Sequence, residues 1–227
     1  MERETEHRSE ERAVRISAGA IELEGTLGVV ENAEGVVLFS HGSGSGQSSP
    51  RNLYVARVLR QAGLSTLLID LLTAEEEAVD LHTRRLRFDI GLLAERLVKA
   101  TDWLRDDPST QNLRIGYFGA STGAGAALLA AAVRPDEVGA VVSRGGRPDL
   151  AGEDLSRVMA PTLMIVGGSD APVIGMNEEA LGYLHVEKRL EIVPGATHLF
   201  EEPGALEEVA HLATAWFVRY LGPVNAG

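Results

Sequence analysis

The chain has 227 residues, of which 44% are hydrophobic and 24% charged, with no cysteine and a formal net charge of −12. This composition is typical of a folded globular protein and excludes a disordered or fibrous chain. The lack of cysteine excludes disulfides, zinc–thiolate centres, iron–sulfur clusters and a cysteine nucleophile. The acidic balance, without any local basic stripe, argues against a nucleic-acid partner.

The first twelve residues contain five glutamates and three arginines and no apolar run, so they resemble neither a secretory signal nor a transit peptide. We expect residues 1–12 to form a solvated tail and residues 13–227 to form one domain. The longest strongly apolar run, near residues 124–133, is far shorter than the ~20 residues that span a bilayer. We therefore expect a cytoplasmic protein without a membrane partner.

Strand-like segments recur along the chain from residue 13 onward. The first two, residues 13–17 and 21–30, mix polar and apolar residues and predict an antiparallel pair at a sheet edge. The later segments are short and mostly apolar, as buried strands are, although the last is more amphipathic. They cover residues 35–40, 65–71, 113–118, 139–143, 162–166 and 188–193.

Segments with apolar residues at helical spacing lie between most of these strands. The predicted helices cover residues 53–61, 86–104, 121–133, 177–184 and 206–220. Strands separated by helices favour right-handed crossovers and a parallel sheet. The sequence therefore predicts an α/β fold with a mostly parallel sheet of about eight strands and helices on both faces. The acidic run at residues 75–77 is expected to lie in a solvated loop and to pair with the nearby Arg84, Arg85 and Arg87.

A serine in a glycine-framed turn is the strongest chemical signal. The motif Gly-Ala-Ser-Thr-Gly at residues 119–123 follows the predicted strand 113–118 and opens the apolar helix 121–133. A tight strand-to-helix turn strains its central residue, and the flanking glycines let strand and helix pack closely. The turn exposes the Ser121 hydroxyl at the carboxyl end of the sheet, over a helix N-terminus. We predict that Ser121 is a nucleophile; a helix cap without chemistry is the alternative.

A serine nucleophile needs a base, and the base needs an orienting acid. On a turn of this kind the acid and then the histidine follow the serine in chain order. His198 fits the base, because it follows the strand 188–193 in a loop near the C-terminus. Asp170 fits the acid, because it closes the Gly-Gly-Ser-Asp turn after the strand 162–166. Asp149, after the preceding strand, is the alternative acid.

A glycine-rich loop, His-Gly-Ser-Gly-Ser-Gly at residues 41–46, follows the strand 35–40. It lacks the Lys-Ser/Thr ending of a nucleotide P-loop. A dinucleotide fingerprint is an alternative because Asp70 lies at the end of the next strand, but the glycine spacing is wrong for it. A His-Gly turn at this place is typical of an oxyanion hole. We predict that the backbone N–H groups of Ser43 and Thr122 hold the oxyanion.

Two side chains are candidates for contact with the substrate. Arg144 ends the strand 139–143 at the same edge of the sheet as Ser121, where it could bind a carboxylate. A structural salt bridge is the alternative role for Arg144. His41, which opens the glycine-rich loop, is the second candidate.

These motifs, in this order, resemble the α/β-hydrolase superfamily, and within it the small lidless members similar to dienelactone hydrolases. The resemblance covers about residues 13–221 and rests on HGSGSG at 41–46, GASTG at 119–123, GGSD at 167–170 and GATH at 195–198. It implies a fold without a lid domain, no metal and no organic cofactor. Dienelactone hydrolases proper use a cysteine nucleophile, and the serine found here favours ester hydrolysis over lactone hydrolysis.

The sequence therefore predicts a serine hydrolase that cleaves a small-molecule carboxylic ester through an acyl-enzyme. Hydrolysis of lactones, dienelactones or thioesters at the same site is one alternative. Ligand binding without catalysis on the same fold, and a nucleotide-dependent enzyme using the glycine-rich loop, are the others.

Overall fold

An eight-stranded sheet runs through the protein in a computed structural model that describes residues 8–41 and 46–222. The strand order is β1-β2-β4-β3-β5-β6-β7-β8. β2 pairs antiparallel with β1 and with β4, and the remaining pairs are parallel. The strands are β1 (Ser9–Ala18), β2 (Ile21–Val30), β3 (Gly35–Ser40), β4 (Leu64–Ile69), β5 (Arg114–Ala120), β6 (Val138–Arg144), β7 (Thr162–Gly167) and β8 (Lys188–Val193).

Helices cover both faces of this sheet, as predicted. α3 and α4 pack with one hydrophobic cluster, and α1 and α6 pack with the other. Alternate side chains of β3 pack into the two clusters. Val36 and Leu38 belong to the first cluster, and Val37 and Phe39 belong to the second. The helices are α1 (Pro50–Gln61), α2 (Ala74–Thr83), α3 (Ile90–Asp106), α4 (Thr122–Val133), α5 (Ala171–Leu181) and α6 (Ala205–Leu221), with 3-10 segments at Leu86–Phe88 and Pro148–Arg157.

The first strand is longer than predicted. β1 begins at Ser9, so residues 9–12 belong to the sheet and not to a tail. They pair with the end of β2, from Leu27 to Val30. All four side chains are exposed, and a strand segment without an apolar side is hard to tell from a tail by its sequence. Arg12 in this segment forms an ion pair with Asp107.

The acidic run at residues 75–77 lies in helix α2, so the predicted loop is wrong. Thr73 is the N-cap, and its side chain and that of Glu76 form a reciprocal capping box. The pairing predicted for the acidic run is also wrong, because Glu76 binds the buried Arg96 at 2.6 Å. Arg87 instead pairs with the buried Asp80, whose Oδ2 lies 2.6 Å from Arg87 Nε.

The connection between β6 and β7 is short. Residues 145–161 are all described, and their regular structure is the 3-10 segment Pro148–Arg157, interrupted at Gly152. This segment packs against α4 and α5 and forms no separate layer. Within the described chain, no helix is both long and apolar enough to cross a bilayer.

Candidate functional site

The chain reverses sharply at Ser121, between β5 and α4. Ser121 has φ 52° and ψ −126°, a backbone conformation that costs a non-glycine residue about 1–3 kcal/mol. Its N–H donates to the carbonyl of Arg144 at 3.4 Å, and its own carbonyl accepts from Ala124 N–H at 3.1 Å. The predicted strand-to-helix turn is therefore present, and the strain holds the half-buried Ser121 side chain at the carboxyl edge of the sheet.

The two glycines of the motif are required by close backbone packing. A Cβ on Gly119 would lie 2.5 Å from the Cα of Ala124, and a Cβ on Gly123 would lie 2.3 Å from the carbonyl oxygen of Ser40. The Ser40 hydroxyl donates to the carbonyl of Gly123 at 2.8 Å, which ties the end of β3 to the first turn of α4. Any larger residue at either position would separate the elements that hold Ser121.

Asp170 and His198 lie together at the ends of neighbouring strands. Asp170 follows β7 as the N-cap of α5, and its Oδ2 lies 2.8 Å from His198 Nδ1. The Asp170 side chain is 15% exposed and that of His198 is 41% exposed, so the imidazole keeps one side open to solvent. Asp149, the alternative acid, forms a two-point ion pair with Arg147 at 2.7 and 2.8 Å.

The His198 loop packs on the strand end that contacts Ser121. A Cβ on Gly145 would lie 3.2 Å from the His198 carbonyl oxygen and 3.5 Å from its Cε1. Gly145 directly follows Arg144, whose carbonyl accepts the Ser121 N–H. Ser121, Asp170 and His198 therefore lie at the same edge of the sheet.

One of the two predicted oxyanion donors is described. Thr122 is the first residue of α4, where the backbone N–H has no partner within the helix and the helix dipole favours negative charge. Ser43, the other predicted donor, lies outside the described residues.

Asp70, which follows β4, binds Gln47. The backbone N–H and the side-chain amide of Gln47 both donate to the Asp70 carboxylate, at 2.7 and 2.9 Å. Asp70 is thus engaged with the chain itself, which argues against a ribose-binding role.

His41 is buried next to this site and is held neutral. Asn52 Nδ2 donates to His41 Nδ1 at 2.7 Å, so the imidazole proton lies on Nε2, which is buried without a partner among the described residues. Burial, with a smaller contribution from the positive charge of Arg144, lowers the pKa of His41 from 6.5 to about 3. His41 is therefore an N–H donor at neutral pH.

The pKa of His41 predicts a specific loss of stability in acid. Because the unfolded chain binds this proton below pH 6.5 and the folded chain only near pH 3, stability falls as the pH drops between these values. We expect His41 to contribute a slope of about 1.4 kcal/mol per pH unit to the free energy of unfolding. His41→Gln should flatten that dependence between pH 6.5 and 4.5, measured by urea denaturation. Parallel curves for the two proteins would contradict the buried neutral state.

Arg144 forms no salt bridge with any residue that the structure describes, so the alternative structural role predicted for it is not found there. The residue is 6% exposed, and its Nε and Nη1 have no hydrogen-bond partner among the described residues. Burial, and then repulsion from Arg51, lowers the pKa of Arg144 to about 10, so the side chain stays charged at neutral pH. In residues 8–41 and 46–222, no group of three or more His, Asp or Glu side chains is placed to hold a metal ion.

The strand order, the antiparallel β2 and the serine after β5 define an α/β hydrolase. The family model described as the dienelactone hydrolase family matches residues 25–221. A crystal structure of dienelactone hydrolase from Anabaena variabilis is 65% identical, with a TM-score of 0.92 over 94% of this chain and 99% of that one. The chain belongs to the dienelactone hydrolase family, which confirms the resemblance and fold predicted from sequence and supports hydrolase activity.

Two further proteins are similar to this chain, one in fold and one in sequence. Est1E from Butyrivibrio proteoclasticus has a TM-score of 0.78 over 93% of this chain and 99% of its own, but at 15% identity this likeness shows the fold alone. A Mycobacterium tuberculosis protein whose name describes it as a candidate phosphoribosyl transferase is 55% identical over 215 residues. The match covers 94% of this chain and 48% of that protein, so the chain spans about half the length of the curated relatives it matches.

Proposed function

We propose that this chain is a serine hydrolase of small carboxylic esters. The observation that carries the proposal is the 2.8 Å contact between Asp170 Oδ2 and His198 Nδ1, at the sheet edge where Ser121 is held in its strained turn. Because Nδ1 binds the carboxylate, Nε2 is left as the basic nitrogen that can take a proton. The membership of the family and its hydrolase relatives support the same reaction class.

In the proposed reaction, Ser121 Oγ attacks the ester carbonyl while His198 Nε2 takes the serine proton. The tetrahedral oxyanion is held by the N–H groups of Thr122 and Ser43, and each such donor is worth about 3–4 kcal/mol of transition-state stabilisation. The C–O bond then breaks, and His198 returns the proton to the departing alcohol. Water, deprotonated by His198, hydrolyses the acyl-enzyme, and Asp170 stabilises the charged imidazole in both steps.

Lactone hydrolysis is the second candidate, because opening a lactone ring uses the same acyl-enzyme and the family is named for it. The nucleophile proposed at position 121 is an oxygen, whereas dienelactone hydrolases proper use sulfur, and we place small open-chain esters first for that reason. The partner is accordingly a small molecule, and the reaction needs no group beyond these side chains and water.

The short β6–β7 connection predicts a preference for short acyl chains. Burying a methylene is worth about 0.8 kcal/mol, but only where an apolar wall exists to bury it. The 3-10 segment Pro148–Arg157 offers no separate cap for such a wall. We expect kcat/KM for nitrophenyl esters to be highest for acetate or butyrate in a series from two to sixteen carbons. A maximum at twelve or more carbons would contradict the lidless site, and no hydrolysis of any ester would contradict the proposed function.

A further inference from the structure

A cluster of cationic and N–H donor side chains lies beside Ser121. We call the cationic Arg51 and Arg144, together with the neutral N–H donor His41, the cationic cluster. In the sheet, β5 lies between β3 and β6, so Ser121 after β5 is flanked by His41, which follows β3, and by Arg144, which ends β6. Arg51 is in the first turn of α1, next to the Asn52 that binds His41. The cluster therefore lies at the same edge of the sheet as Ser121.

Arg144 differs from the other deeply buried arginine of the described chain. Arg96 is also 6% exposed, but its guanidinium binds both oxygens of Glu76 and the carbonyl of Leu71. No acidic side chain of the described residues lies within 4.0 Å of Arg144. A buried charge without a partner is strongly unfavourable. The fold thus pairs one buried guanidinium and leaves the other, next to Ser121, with its charge uncompensated.

The groups around Arg144 are donors as well. Arg51 Nε and His41 Nε2 are buried without a hydrogen-bond partner among the described residues. Together with Arg144 Nε and Nη1, they are four buried nitrogen donors without a partner there. The first turn of α1 contains no acidic residue, and the N-cap Ser49 makes no side-chain capping bond. The N-terminus of this twelve-residue helix therefore adds its dipole to the same positive field. An anion complements this set, since it accepts hydrogen bonds and carries negative charge.

We propose that the physiological substrate, on the ester-hydrolase mechanism proposed above, carries a phosphate group that binds the cationic cluster. A phosphate monoester brings three free oxygens and about 1.5–2 negative charges, whereas a carboxylate brings two oxygens and one charge. Two guanidinium groups and a helix N-terminus match the phosphate better. Glu201, which pairs with Arg51 at 2.9 Å, is 63% exposed and can be released to solvent when phosphate takes its place.

A matched set of acetate esters tests this preference. The substrates are 2-acetoxyethyl phosphate, its neutral dimethyl phosphate triester and 3-acetoxypropanoate. Hydrolysis of each adds water across the acyl C–O bond, releases acetate and leaves the phosphorus–oxygen bonds intact. We expect kcat/KM for the phosphate to exceed that for either other ester by about tenfold or more, as a charge-assisted contact provides. Equal rates, or the highest rate with the carboxylate, would overturn the proposal.

Substitutions of single arginines test whether the preference for the phosphate ester depends on the cationic cluster. Arg144→Gln should lower kcat/KM for the phosphate ester by about tenfold more than it lowers kcat/KM for the neutral triester. Arg134→Gln is the matched control, since it removes the same charge at the far end of α4, where Arg134 pairs with Asp102. It should change neither ester. An equal loss on both esters in Arg144→Gln would indicate a structural role and overturn the proposal.

Phosphate binding separates this inference from the proposed function. We expect inorganic phosphate to bind the folded Ser121→Ala protein saturably in isothermal titration, and Arg51→Gln in that background to weaken binding by about tenfold. Arg51 is partly exposed, so this variant decides the question even if Arg144→Gln does not fold. Binding without any ester hydrolysis would reject the proposed function alone. Hydrolysis without phosphate binding would reject the phosphate site alone.

Discussion

Replacement of Ser121 by alanine is expected to lower kcat/KM for ester hydrolysis by about 10⁴–10⁶-fold while the protein stays folded. The loss follows because Ser121 is the hydroxyl residue that the strained φ of 52° holds between β5 and α4. The fold should persist because alanine accepts the same φ of 52° at a cost close to that of serine. The measurement is kcat/KM with a nitrophenyl acetate, together with the thermal unfolding midpoint.

A second serine variant provides the control. Ser156→Ala removes an exposed hydroxyl in the 3-10 segment Pro148–Arg157, where it bonds only the carbonyl of Glu153, and should retain full activity. If Ser121→Ala kept more than a few per cent of the activity while remaining folded, the assignment of the nucleophile would be wrong.

Replacement of Asp170 by asparagine is expected to lower kcat by about 10³–10⁴-fold. The carboxylate bound to His198 Nδ1 at 2.8 Å fixes the tautomer that leaves Nε2 basic, whereas the amide of asparagine also stabilises the opposite tautomer. Asp149→Asn is the matched comparison, because Asp149 also follows a strand but binds the partly exposed Arg147. It should lower kcat by less than about twofold, since it removes only an exposed ion pair. A larger loss from Asp149→Asn would reverse the assignment of the acid.

Most strands could be predicted from the sequence because a buried parallel strand is a short apolar run. The run in β3 is such a case, since both of its faces pack in a core. The order in which strands pair could not be predicted, because β4 lies between β2 and β3 through contacts far apart in sequence. The beginning of β1 was missed because its first four side chains are all exposed, and an edge segment without an apolar side shows no period.

Helix α2 was missed although a signal for it was present. The acidic run overlaps a Thr-x-x-Glu capping box, in which the side chains of Thr73 and Glu76 each accept a hydrogen bond from the other residue's backbone N–H. Three acidic residues in a first turn also stabilise the helix dipole, so the run that suggested a loop favours a helix start. The partner of Glu76 could not be foreseen, because Arg96 lies twenty residues further along and reaches it only when α3 packs on the sheet.

At the site, the order of the motifs was enough to select Asp170 over Asp149 as the partner of His198. Both acids follow buried strands, and β7 is the one adjacent to β8, from which the His198 loop emerges. The state of Arg144 was beyond sequence reasoning. Whether a guanidinium at a strand end meets a carboxylate depends on the side chains that packed elements bring to it, and in the described chain α1 brings another arginine.

The reactivity of Ser121 is tested most directly by covalent labelling with a fluorophosphonate. Attack by an activated Ser121 Oγ on the phosphorus expels fluoride and leaves a stable adduct, and this requires the base and the oxyanion donors but no knowledge of the substrate. We predict one adduct per chain by intact mass, mapped by peptide fragmentation to Ser121, and none in Ser121→Ala. An unlabelled wild-type protein, or an adduct on another serine, would contradict the account.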